Sequence, residues 1–252
     1  MNIYSVAFFR SAASAYESER AGAGRGVFFV NYLRSLVRGF WATYGTLHGW
    51  RLEIRHDDRA REFPYFAALQ RMETAGLLKL VYKGPCLGLC DSMLWRMDPI
   101  WETDSDVVLC RDLDALPTLR EMKAVESWMS LPYASWPVHS IHDSISHKDA
   151  GLMGGLVGFH APTVRGVIPR PPCDGKLNVH GDDQRWLDAY VVPVMSGRIK
   201  QETPETLGPK DHPMDVLGSH LGGAYHVDPF VKWLDENPWL CSKLGEIQRC
   251  EK

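Results

Sequence analysis

The sequence predicts an α/β fold, a mostly parallel central sheet with helices on both faces. Three observations predict it. Strand-like apolar runs alternate along the chain with segments of helical period. Several of those runs end directly on charged residues, as strands do at the edge of an open sheet where ligands bind. The composition is that of a globular protein: 252 residues, 45% hydrophobic and 23% charged. A chain this long buries a core without help from disulfides or a structural metal.

The elements follow in order. Ile3–Phe9 is an apolar run and reads as the first strand. Residues 11–26 are small and polar and read as a loop. From Val27 to Tyr44, apolar residues at 29, 30, 33, 36, 37, 40 and 41 repeat with helical period, and Gly45 stops the helix. Trp50–Arg55 alternates as a strand and runs into His56-Asp57-Asp58. Pro64 opens a helix to about Ala75, with Gly76 as its stop. Leu77–Tyr82 is a strand, and a turn over 85–90 leads to a short helix around Ser92–Met97. Asp106–Cys110 is the next strand, running into Arg111-Asp112-Leu113-Asp114. Pro117 starts a helix with Leu119, Met122, Val125 and Met129 on one face. Leu152–Phe159 is apolar but broken by glycines, Asp182–Met195 begins as a helix, and Phe230–Asn237 is a short last helix. No internal repeat or low-complexity linker interrupts this, so the chain reads as a single domain. Residues 1–115 form one half and 116–252 the other.

Composition also excludes. No run of about 18 apolar residues exists, so no membrane span is expected. Residues 1–10 lack the basic flank and long apolar core of a secretory signal, so a cytoplasmic location is expected. Six cysteines at 86, 90, 110, 173, 241 and 250 contain no C-x-x-C pair and read as reduced thiols. The net charge of -3 argues against a protein that simply coats nucleic acid. The charge is uneven, though. Residues 1–71 hold ten arginines and no lysine against six acids, and guanidinium groups bind phosphate bidentately. A solvated helix face explains the same charges.

The strongest chemical feature is Asp112-x-Asp114 directly after a buried-strand pattern. Paired carboxylates at a strand end suit a hard cation such as Mn²⁺ or Mg²⁺ that bridges to substrate phosphates. A turn whose aspartate caps the helix near Pro117 explains the same residues.

The surrounding motifs point further. They are Trp95-Arg96-Met97-Asp98-Pro99, the strand ending in Arg111-Asp112-Leu113-Asp114, Pro117, Arg120-Glu121, Ala124-Val125 and Trp128. His142-Asp143-Ser144-Ile145-Ser146-His147, Gly154-Gly155-x-x-Gly158 and Gly181-Asp182-Asp183-Gln184-Arg185-Trp186-Leu187 follow in order. This series resembles the small nucleotide-sugar glycosyltransferases of the GT-A fold found in phages, large viruses and bacteria. The resemblance covers roughly residues 3–10 and 50–190. Ala115 stands where that family has serine, and 142–147 lacks its arginine and proline.

The resemblance implies a GT-A-like (Rossmann-like) domain and a metal-dependent transfer of sugar from a nucleoside diphosphate, with uridine diphosphate the commonest donor. It implies a donor site at Ala7, Phe8, Arg10, Asp57 or Asp58, Arg96, Arg111 and Asp112. Gly154 and Gly155 would let the backbone approach the donor sugar. Asp114 would be the principal metal ligand, with Asp112, and His220 a late ligand rivalled by His212 and His226. Asp183 is the better candidate for general base and Asp182 the other, one of the two capping the helix they begin. His142, Asp143 and His147 could touch a sugar. Core packing is the competing explanation for Phe8 and Phe9, and a surface salt bridge to Arg59 or Arg61 for Asp57 and Asp58.

The arginine-rich start makes a nucleic-acid acceptor, such as 5-hydroxymethylcytosine in phage-type DNA, the first expectation. A saccharide or protein glycan is the second. A metal-dependent nucleotidyltransferase or hydrolase would use the same acids for attack at phosphorus, and a binding module descended from an enzyme need not keep both acids.

Overall fold

In the computed structural model the described residues are 1–8, 25–113, 115–143, 151–174, 176–177, 179, 181–210, 212, 215 and 227–252. The apolar runs become β1 (Asn2–Phe8), β2 (Trp50–His56), β3 (Lys79–Tyr82) and β4 (Val107–Arg111), all mutually parallel. Three further strands complete the sheet: β5 (Val138–Ile141), β6 (Leu156–His160) and β7 (Ile199–Glu202). The order is β3-β2-β1-β4-β6-β5-β7. β6 runs antiparallel to both neighbours, β4 and β5, while β5 and β7 are parallel. The expected α/β architecture, mostly parallel with helices on both faces, is the one present. β5 and β7 escaped the sequence reading. Each is four residues long, and β7 (Ile199-Lys200-Gln201-Glu202) carries one apolar residue.

The register matters for function. Because β6 is reversed, Arg111 at the end of β4 pairs with Leu156 at the start of β6. The Gly154-Gly155 turn therefore arrives beside Asp112, at the edge where the parallel strands end. β5 delivers His142 and Asp143 to the same edge, and the His142 N–H donates to Glu202 O at the end of β7 (2.7 Å).

Alternation along β4 sends side chains to two separate cores. On one face Tyr4, Val6, Phe8, Leu52, Ile54 and Leu109 pack under α1 (Arg25–Ala42), α2 (Phe66–Thr74), α4 (Leu119–Met129) and α8 (Val227–Glu236). On the other, Val108, Cys110, Val157 and Phe159 pack under α3 (Leu89–Leu94), the 3₁₀ segment Trp95–Trp101 and α6 (Asp182–Tyr190). All five residues of β4 are buried, as a central strand covered on both sides requires.

Several boundaries differ from the sequence reading. The helix expected from Pro64 is preceded by a 3₁₀ turn at Arg59–Glu62 and becomes α-helical only at Phe66. The helix expected to begin at Asp182 does so and runs to Tyr190. Thr118 caps α4, its hydroxyl accepting from the Glu121 N–H (3.1 Å). The chain continues past Asn237 into α9 (Leu244–Glu251). There Glu251 accepts from Arg38 (2.7 Å) and Tyr65 (2.7 Å), tying α9 to α1 and to the start of α2. Short intervening helices α5 (Ala161–Val164) and α7 (Pro204–Leu207) are single turns. Cys110, Cys241 and Cys250 are free thiols.

One buried group makes stability depend on pH. His139 of β5 is fully buried, stacked on Trp128 with centroids 5.2 Å apart. Neither ring nitrogen has a partner among the described residues. Burial, then Arg111 and Lys200, hold its pKa well below the ordinary 6.5. The neutral ring is therefore the folded form. Its contribution is complete above pH 6.5 and is lost as pH falls from there toward the folded pKa, because the unfolded chain takes up the proton first. The slope is at most about 1.4 kcal/mol per pH unit. Denaturant midpoints between pH 7.5 and 5 are expected to fall less steeply in His139→Phe than in the wild type, and equal slopes would refute this role.

Candidate functional site

The site is assembled from three stretches at the carboxyl edge of the sheet. β4 ends at Arg111 and presents Asp112, whose side chain is 39% exposed. The Gly154-Gly155 turn enters β6 beside it, and the Gly155 carbonyl accepts from the Asp112 N–H (3.3 Å). The first turn of α6 supplies Asp183, which is almost completely buried.

Arg96 joins them. It lies on the 3₁₀ segment Trp95–Trp101 and is 2% exposed. One end of its guanidinium is hydrogen-bonded to Asp112 Oδ1, and Nη2 donates to Asp183 Oδ2 (3.1 Å). Burial works against the charge on Arg96, but Asp112 and Asp183 outweigh it and raise its pKa further. The two glycines leave little room for a side chain. A Cβ on Gly155 would overlap Asp112 Oδ2, and one on Gly154 would stand 3.0 Å from Arg96 Nη2. Gly155→Ala is expected to push Asp112 off its position and cost about 1–3 kcal/mol from overpacking. Chemical denaturation would show it, whereas an unchanged midpoint would mean that the turn moves freely.

Gln184 closes the arrangement. Its Oε1 accepts from the Gly154 N–H (3.2 Å), and its Nε2 donates to Leu152 O (2.5 Å) and Asp188 Oδ1 (3.1 Å). It pins the glycine turn to the helix that carries Asp183. The sequence alone assigns it no role, although it sits inside the Gly181-Asp182-Asp183-Gln184 motif.

Asp182 faces away from this cluster. It accepts from the Val179 N–H (2.7 Å) and from Arg185 Nε (3.1 Å), so it shapes the entry to α6. Of the two acids expected there, Asp183 is the one that shares Arg96 with Asp112. Ser140 and His142 approach from β5: Ser140 Oγ accepts from the Met153 N–H (3.1 Å) and bonds the ring of His142 (3.0 Å). Asp143 is held by Arg120 and by Lys210 (3.2 Å).

Other expected donor residues are placed differently. Arg111 points inward and is completely buried, so it has no surface to offer a donor. It donates to Glu121 Oε1 (2.8 Å) and to the carbonyls of Cys110 (2.9 Å) and Val157 (2.8 Å). Burial opposes its charge, and Glu121 together with Tyr44 and Tyr4 more than compensates, so its pKa is raised. Phe8 is a core residue packed against Phe63, with ring centroids 5.2 Å apart. Asp57 is buried and its Oδ1 accepts from the Ala60 N–H (2.8 Å), which starts the 3₁₀ turn. Asp58 is exposed, and Ala7 is half-buried on β1. Arg96, expected against a phosphate, is spent on two carboxylates. Phe9, Arg10, Asp114, His147, His220 and His226 lie outside the described residues, while the His212 ring stands edge-on to Trp233 (5.6 Å).

Among the described residues no three histidine, cysteine, aspartate or glutamate side chains converge as a metal set. The donor chemistry of the Asp112 carboxylate, with Asp114 two residues on, fits a hard divalent cation. Among the described residues no helix is long and apolar enough to cross a membrane.

No family model and no curated protein matches the chain. Among solved structures it is similar to S. aureus TarS 1–349, with a TM-score of 0.47 and 12% sequence identity. The match covers 80% of this chain and 58% of that one, so the chain spans less than two thirds of its length.

Proposed function

We propose that the chain is a glycosyltransferase that moves a sugar from a nucleoside diphosphate, uridine diphosphate first, to an acceptor hydroxyl. The observation that carries this reading is the pairing of Asp112 and Asp183 with the one guanidinium of Arg96 beside the Gly154-Gly155 turn. The order of motifs along the sequence supports it. One acid at the end of β4 suits the donor, and a second acid on a different element suits the acceptor. In an inverting transfer the acceptor oxygen bonds to the anomeric carbon as the bond from that carbon to the diphosphate oxygen breaks. Asp183 takes the acceptor proton. Gly154 and Gly155 keep side chains out of the space beside Asp112. A divalent cation held by Asp112 and Asp114 would neutralise charge on the leaving diphosphate. The acceptor is proposed as a hydroxyl on hydroxymethylated DNA or on a saccharide.

Thermal unfolding in the presence of single nucleoside diphosphates, with Mn²⁺ or with EDTA, tests the donor. A ligand at a hundredfold excess over its Kd stabilises by about 2.7 kcal/mol. A Mn²⁺-dependent shift with one nucleotide, followed by transfer of labelled sugar to one acceptor of the two classes, is the expected result. No shift with any nucleotide would overturn the reading, and release of products cleaved at phosphorus would replace it with phosphoryl chemistry.

A further inference from the structure

Arg96 has a part in this site that differs from holding a phosphate. Its side chain is 3% exposed, and both ends of its fork are used: one on Asp112, from β4, and one on Asp183, from α6. The two acids are 71 residues apart in sequence and on elements that share no backbone ladder. Gly154 packs against the guanidinium, and Gly155 packs against the Asp112 carboxylate. The Gly154 N–H is in turn fastened to Gln184, the neighbour of Asp183. A buried guanidinium that gave up both carboxylates would be left as an uncompensated charge in a desolvated place. Its planar fork also fixes direction, which a point charge does not.

We infer that Arg96 is a positioning residue that sets Asp112 and Asp183 at a fixed separation and orientation through its two-ended pairing. This deepens the proposed function and rests on it for the catalytic consequence. Each carboxylate gives one oxygen to Arg96. Asp112 and Asp183 therefore act as one unit.

The pairing itself is tested without any reaction. Unfolding midpoints of Asp112→Asn, Asp183→Asn and the double variant form a cycle, measured again in an Arg96→Met background. With Arg96 present, the double variant is expected to lose more than the sum of the single losses, since it strands the guanidinium. In Arg96→Met that excess disappears. Additive losses with Arg96 present would overturn the inference, whatever the turnover.

Turnover then separates positioning from phosphate binding. Arg96→Gln and Arg96→Lys are both expected to lower kcat about 100-fold, the scale of a misplacement near 1 Å, with donor KM within about threefold of the wild type. Lysine gives no rescue because it reaches one carboxylate at a time. Wild-type kcat in Arg96→Lys would reduce the role to charge alone and overturn the inference. A large rise in donor KM at unchanged kcat would make Arg96 a phosphate ligand and also overturn it. If the wild type turns over no nucleotide sugar, the proposed function fails while the stability cycle still decides the pairing.

Discussion

Replacing Glu121 with alanine is expected to cost the fold about 3–5 kcal/mol, because it leaves a buried guanidinium without its carboxylate. Arg111 is wholly enclosed, and Glu121 Oε1 receives both Arg111 Nε (2.8 Å) and the Tyr44 hydroxyl (3.0 Å). Burial and the Glu121 charge push the Tyr44 pKa well up, so the phenol stays protonated and donates. Removing the carboxylate strands both donors at once. For a chain of this size the loss corresponds to roughly 10 °C in Tm. The double replacement Arg111→Met with Glu121→Leu is expected to recover most of it, since an apolar pair of similar volume carries no desolvation penalty. A loss below about 1 kcal/mol in Glu121→Ala would mean that water reaches Arg111. Arg111 is also the residue before Asp112, so this clamp fixes the end of β4 from inside the protein.

The second large effect concerns chemistry. Under the proposed function, Asp183→Asn is expected to lower kcat about 1,000-fold, within the range for losing a general base. Asparagine keeps the shape and can still face Arg96, so donor binding is expected to be retained. Asp182→Asn is the matched control. Its carboxylate serves Val179 and Arg185 at the entry to α6, so turnover is expected to stay within about twofold. The comparison is sharp because the two acids are adjacent in sequence and identical in type. Equal losses in both variants would count against Asp183 as the base and point to the helix start as a whole.

What the sequence determined by itself is local. Ile3–Phe9, Trp50–Arg55 and Asp106–Cys110 carry enough contiguous or alternating apolar residues to be strands in any arrangement, and they appear as β1, β2 and β4. The helical period over 27–44, the proline at 117 and the acids at 182–183 likewise mark helices whose interiors are where expected. Asp112 stands at a strand end because an apolar run stops there, which a reader of the chain can see. β5 and β7 are strands because neighbours pair with them, and Lys200 in β7 opposes His139 in β5 without any apolar signature.

The fates of the arginines were decided only by the tertiary structure. Arg96 and Arg111 look alike in sequence, each beside a motif and each fit for a phosphate. Folding gives one of them Asp112 and Asp183, from 16 and 87 residues away, and gives the other Glu121 and the Val157 carbonyl. Both are buried, and a buried guanidinium is set by whichever carboxylates the packing brings to it. That is a long-range outcome of strand order, above all of β6 running backwards beside β4. Periodicity along the chain carries no information about it.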